Sequence, residues 1–150
     1  LSQVETGKAE PGIAELRHIA GFFELPISFF FRNEQLFEAD RGVVVRRAAR
    51  ASLGSKTDGL TEELLSPHLS GEFEMIRSVF EPGASSQWIE ARPTHEGGYV
   101  VSGSLSLTIG NQPFELEAGD SFQFQNQGYR WTNNGTEPAE VIWIVSPPVY

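Results

Sequence analysis

Between residues 97 and 133 the chain alternates apolar and polar positions and is broken only at Gly103, Gly110-Asn111 and Gly119-Asp120. A period of two is that of a strand with one buried face, and the breaks are turn residues. The stretch therefore predicts consecutive antiparallel strands joined by tight turns. The same pattern, followed outwards, predicts strands at 43–47, 73–80, 87–92, 99–101, 104–109, 113–116, 121–124, 130–132 and 139–145. Gly97-Gly98 reads as a further turn, and Pro147-Pro148 as the stop after the last strand. So many short strands with regular turns point to a sandwich or a barrel.

The first forty residues follow another period. Ile13, Leu16, Ile19, Ala20 and Phe23 recur at spacings of three and four, which lines them along one face of a helix. Pro11-Gly12 marks its start, Glu15 sits in the first turn where the helix dipole favours an anion, and Leu25-Pro26 ends it. A short helix follows at 27–31. Before Pro11, LSQVETGK reads as the last turns of a helix with Gly7 as its C-cap. The polar run 33–40 is the best linker. The predicted division is residues 1–32 as a helical unit, 33–42 as linker and 43–150 as the β domain.

Charge sharpens that division. The chain has 11 basic and 20 acidic residues, a net −9. Residues 1–50 hold seven of each sign, so the whole excess lies in residues 51–150. That part repels phosphate backbones, and any contact with nucleic acid falls to the first part. With no cysteine, disulfides and thiolate metal sites are excluded, and a reducing cytoplasm is the natural compartment. No apolar run is long enough for a bilayer; the most apolar one, at 21–31, is interrupted by Glu24 and Pro26. A first residue other than Met suggests that a longer chain precedes Leu1.

Residues 1–31 resemble the C-terminal half of a lambda-repressor-like helix-turn-helix domain of the Xre/Cro type. The resemblance is carried by Glu5-Thr6-Gly7-Lys8, Pro11, Leu16, Ile19-Ala20 and Leu25-Pro26-Ile27-Ser28. It implies that the helix ending at Gly7 is the recognition helix of the major groove. Gln3 would then reach a base edge, where glutamine suits adenine, with Ser2 and Lys8 near phosphates. The first two helices and most of the recognition helix have no counterpart here, so the stretch as it stands is not expected to bind DNA.

Residues 70–146 resemble a cupin, a double-stranded β-helix or jelly-roll barrel. Its first motif sets two histidines one residue apart, then a glutamate, then a glycine seven further on. Glu96 and Gly103 match that last spacing, which puts Glu90 and Arg92 at the histidine positions. The second motif runs from Gly119-Asp120, with Gln125 at its proline, Tyr129 at its histidine and Asn133 in register. In that family these positions hold a metal. Here Arg92 is a permanent cation among Glu90, Glu96 and a tyrosine that ligates poorly at neutral pH. His95 could enter the site only if Glu96, its neighbour on a strand, turned away. Neither a metal nor another cofactor is expected.

A metal-free barrel can still hold an organic molecule. Residues two apart on a strand share a face, which groups Trp88 with Glu90 and Arg92, Phe122 with Phe124, and Tyr129 with Trp131. With Glu96 and Tyr99 these make the candidate effector-binding set, in which Arg92 clamps a carboxylate bidentately. An amino acid or an organic acid fits that chemistry. The plainer alternative is that the aromatics fill the core and Arg92 makes an internal ion pair with Glu90 or Glu96. His18, on the helical segment, and His68, in the Ser66-Pro67-His68 turn, receive no role.

Taken together, the two resemblances imply a mainly β protein, a cupin barrel preceded by the C-terminal helices of a helix-turn-helix domain. Such proteins are bacterial one-component transcription regulators: cytoplasmic homodimers that bind a double-stranded DNA operator and a small effector, make no membrane contact and do not act as enzymes. The rival readings are a metal-dependent cupin enzyme, a dioxygenase or isomerase, and a ligand-free dimerisation barrel.

Overall fold

The computed structural model describes residues 42–53, 59–68 and 70–149. The expected N-terminal helices, nearly all of the linker, His18 and the DNA-contact set Ser2, Gln3 and Lys8 lie outside the described residues. Eight strands follow in order: β1 (Leu60–Leu64), β2 (Glu74–Phe80), β3 (His95–Ser102), β4 (Ser104–Ile109), β5 (Gln112–Glu117), β6 (Ser121–Gln125), β7 (Tyr129–Thr132) and β8 (Ala139–Ser146). All pair antiparallel, in a five-stranded sheet of order β1-β2-β8-β3-β6 and a three-stranded sheet of order β5-β4-β7. The described part is thus mainly β. No helix among the described residues is long and apolar enough to cross a membrane.

The alternation sets the layers. Ile76 and Phe80 of β2, Val141, Trp143 and Val145 of β8, and Val100 of β3 face Leu105, Leu107 and Ile109 of β4 and Trp131 of β7 across one core. Each large apolar side chain taken out of water there contributes roughly 1.5–3 kcal/mol. Turns fall at Gly103, Gly110 and Gly119, all with positive φ. At Gly103 a side chain is excluded twice over, since φ is +75° and an added Cβ would lie 2.6 Å from the Pro138 carbonyl oxygen.

Four expectations need correction. Gly97 and Gly98 are not a turn; they lie inside β3, where the Phe122 ring covers Gly98 and an added Cβ would also stand 3.1 Å from the Ile142 carbonyl oxygen. Residues 43–47 are not a strand: Val43 is exposed, and a 3-10 turn forms at Arg47–Ala49. Residues 87–92 touch a strand through the isolated bridge of Ile89 to Tyr129, so no ladder fixes their side-chain alternation. Finally, the sequence pattern does not predict β1, because LTEEL carries only two apolar residues, with two acids between them.

Candidate functional site

The two sheets part at one end of the core and leave a cavity of about 130 Å³. Its polar lining comes from Glu62 of β1, Ser78 of β2, Arg92 of the loop before β3 and Tyr129 of β7; Trp131 and Trp143 supply aromatic wall. Glu62 and Ser78 are cross-strand partners in register, and the Ser78 hydroxyl donates to Glu62 Oε1 at 3.2 Å. That volume is close to a cavity that accepts benzene, and small beside the pockets of drug-sized ligands.

Behind the cavity lies a buried polar knot. Glu96, 2% exposed, accepts from Arg92 Nη2 and Thr94 Oγ1 on one carboxylate oxygen and from Trp143 Nε1 on the other, each at 3.0 Å. Both oxygens are therefore engaged, as a buried carboxylate requires. Tyr129 stacks on Trp143 with ring centroids 5.4 Å apart. Burial pushes its phenol well above the ordinary tyrosine range; the charge of Glu96 adds to the shift and that of Arg92 opposes it. At neutral pH Tyr129 is a neutral hydrogen-bonding group.

This donor set does not fit a divalent metal. Glu96 is committed to three donors, Arg92 holds a positive charge beside it, and Tyr129 resists becoming a phenolate. Among the described residues no three histidines or acids come together as a metal cluster. His95 and Glu96, adjacent on β3, point to opposite faces, the histidine exposed and the glutamate buried.

Of the nine residues expected to bind an effector, Arg92, Tyr129 and Trp131 line the cavity and Glu96 stands directly behind it. Phe124 and Phe122 belong to the packing layer, stacked on each other and set against Trp143 at 6.4 and 4.7 Å. Tyr99 is on the outer face of β3, half exposed. Trp88 and Glu90 are exposed, Trp88 lying over Gly128 outside the barrel, while Ile89 between them turns inward to the cavity. With residues 87–92 not in a ladder, spacing by two does not group Trp88, Glu90 and Arg92. Arg92 pairs with Glu96 rather than Glu90. Sequence reasoning missed Glu62 and Ser78. The signal was present in Leu60, Glu62 and Leu64, a period-two row that carries an acid to the inner face.

A double sheet with these glycine-marked turns is the architecture of a cupin, and the family model for the cupin domain matches residues 76–145. The described residues thus have a cupin-like jelly-roll fold. Over its whole length the chain is 27% identical to the HTH-type transcriptional regulator PuuR of Escherichia coli K12, across 100% of this chain and 80% of that protein. The structure is similar to that of an HTH_3 family transcriptional regulator from Vibrio cholerae, with TM-score 0.57 and 24% identity, covering 99% of this chain and 79% of that one. It is also similar to the Cupin_2 domain of an XRE family transcriptional regulator from Enterobacter cloacae, with TM-score 0.55 and 19% identity, covering 61% and 99%. The similarity to the helix-turn-helix regulator PuuR thus runs over the whole of this chain and not over the cupin part alone.

Proposed function

We propose that this protein is a cytoplasmic transcription regulator whose cupin domain senses a small organic effector without a metal. The observation that carries the reading is the cavity, which sets the guanidinium of Arg92 and the carboxylate of Glu62 in one aromatic-walled space, in a chain aligned end to end with regulators. Opposite charges in one cavity suit a zwitterion, its carboxylate toward Arg92 and its ammonium toward Glu62. The volume suits a ligand of about six non-hydrogen atoms, the size of benzene, such as the smallest amino acids and their analogues.

In this reading the N-terminal segment is the closing part of a DNA-binding unit and does not bind by itself, with Gln3 set for a base edge and Ser2 and Lys8 for phosphates. Operator half-sites one helical turn apart require a two-fold dimer. The outward row of Tyr99, Val101 and Ile144 on the five-stranded sheet is the surface we assign to a second copy. The effector acts by binding one setting of the N-terminal units better than the other.

A thermal-shift panel of small amino acids, the matching carboxylates and the matching amines tests the sensor. A ligand that binds only the folded state raises the melting point. We expect the amino acids to do so and Arg92→Ala to abolish the shift while the domain stays folded. Retained affinity in that variant reduces Arg92 to a structural ion pair. Stoichiometric iron, manganese, nickel or zinc in the purified protein would replace this reading with the metal-dependent enzyme.

A further inference from the structure

The cavity and the chain that leads back to the N-terminal unit meet on one strand. β1 is the edge of its sheet, with β2 on one side; on the other its backbone is held by the strap at residues 50–53. The Leu53 amide donates to the Glu62 carbonyl and the Leu64 amide to the Ala51 carbonyl, both at 2.8 Å, with Ser52 bridged to Glu63. The strap covers an edge that would otherwise be open to pairing.

Side chains extend the link. Glu63 Oε2 pairs with Arg50 Nη1 of the strap and with Arg77 Nη1 of β2, each at 3.3 Å. Arg77 in turn grips Glu140 of β8 through Nε and Nη2, both at 2.7 Å. The hydrogen bond from Arg77 holds the Glu140 carboxyl below its ordinary range, and the charges of Arg50 and Arg47 add to the effect. A line of four charges thus runs from the strap across three strands. Each of its strand members is next in sequence to an inward residue, or lies on a strand that carries one. Glu63 follows Glu62, Arg77 precedes Ser78, and Glu140 shares β8 with Trp143. Because neighbouring side chains on a strand are fixed to opposite faces, β1 cannot rotate to bring Glu62 to a ligand without moving Glu63 against Arg50.

We propose that β1 and the strap are the coupling element of this regulator. The state of the cavity is carried by Glu62 through the pleat to Glu63, and leaves the barrel through Arg50 toward the N-terminal segment. The proposal rests on the effector reading above and supplies its route. Coupling needs an element whose position both ends bias, and β1 is bonded to both.

The test is hydrogen exchange at the Leu53 and Leu64 amides of the 150-residue chain, with the Val100 amide, bonded to the Asp120 carbonyl, as reference. Ser78→Ala disturbs Glu62 from the cavity side and touches neither amide. It should speed exchange at Leu53 and Leu64 about tenfold while leaving Val100 unchanged. In an Arg50→Ala background the same change should add less than about twofold, because the link is already cut. Strap amides that exchange as in the wild type, or only in step with Val100, overturn the proposal. Added L-alanine should slow the two amides in the wild type and leave them unaffected in Arg50→Ala. Binding of L-alanine, seen as a thermal shift, without slowing also overturns the coupling. If L-alanine causes no thermal shift, the effector reading fails for that ligand, and the Ser78→Ala arm still decides the coupling.

Discussion

Two guanidinium–carboxylate systems in this domain use the same chemistry to opposite ends. Around Glu96 the carboxylate and its donors Thr94 and Trp143 are buried and only Arg92 reaches solvent; along Arg50, Glu63, Arg77 and Glu140 every side chain keeps roughly a quarter to a third of its exposure. Removing one partner from a buried pair strands an uncompensated charge, whereas water replaces much of what an exposed pair loses. The first system sets geometry behind the cavity. The second can rearrange at little cost, which is what a coupling element needs.

The contrast is broken most sharply at its buried end. Glu96→Ala takes the acceptor from the buried Trp143 indole and Thr94 hydroxyl, while water reaches the Arg92 guanidinium, and should cost about 1–3 kcal/mol in urea unfolding, the range for buried donors left unsatisfied. Glu96→Gln keeps the shape and one acceptor and should cost less. A loss near zero for Glu96→Ala would mean that water enters the knot and that the two systems do not differ in kind.

Tyr129 gives the next largest effect, and a sign. Its folded-state proton affinity lies above the ordinary value of 10.0, so the neutral phenol is favoured by folding. That contribution is complete below pH 10 and is lost as pH rises toward the folded-state value. Stability should fall on the alkaline side of pH 10, and Tyr129→Phe should flatten that limb in denaturation at fixed temperature.

Smaller still is Arg77→Ala. Its pair with Glu140 is two-pronged but about a quarter exposed, and the loss should not exceed about 1 kcal/mol at neutral pH. Here the sign reverses. Glu140 has a depressed folded-state affinity, so its contribution is present above the ordinary carboxyl value of 4.5 and fades as pH falls below it. The cost of Arg77→Ala should shrink in acid. Least of all, Glu90→Ala should change stability by less than about 0.5 kcal/mol and leave ligand binding untouched, since Glu90 is exposed outside the barrel.

How much of the site was legible can be argued from these same residues. Glu96 was assigned by its distance from Gly103, and Tyr129 by its distance from Gly119, because turns fix register and register fixes face. Arg92 was placed in the cavity region by counting along the first motif, and it lies there. Its grouping with Trp88 and Glu90 failed, because residues 87–92 meet β7 at a single bridge and no ladder holds their alternation. Glu62 escaped because an acid between two leucines lowers the strand signal of LTEEL, although that very row carries the acid inward.

The sequence by itself determined most of the strands, the turns at Gly103, Gly110 and Gly119 and the two-period faces of those strands, all of which follow from local spacing, but not the order in which the strands pair. Which faces meet was decided only by the tertiary structure. Phe122 and Phe124 share the face of Glu96 yet pack behind the cavity, because Trp143 of β8, two strands away, stands against them and lines it instead. Tyr99, one strand position from the buried Val100, faces outward, and β1 brings Glu62 across from a segment with almost no pattern. Alternation states which side of a sheet a residue occupies; only the packing of one sheet on another, through contacts far apart in sequence, states what it meets there.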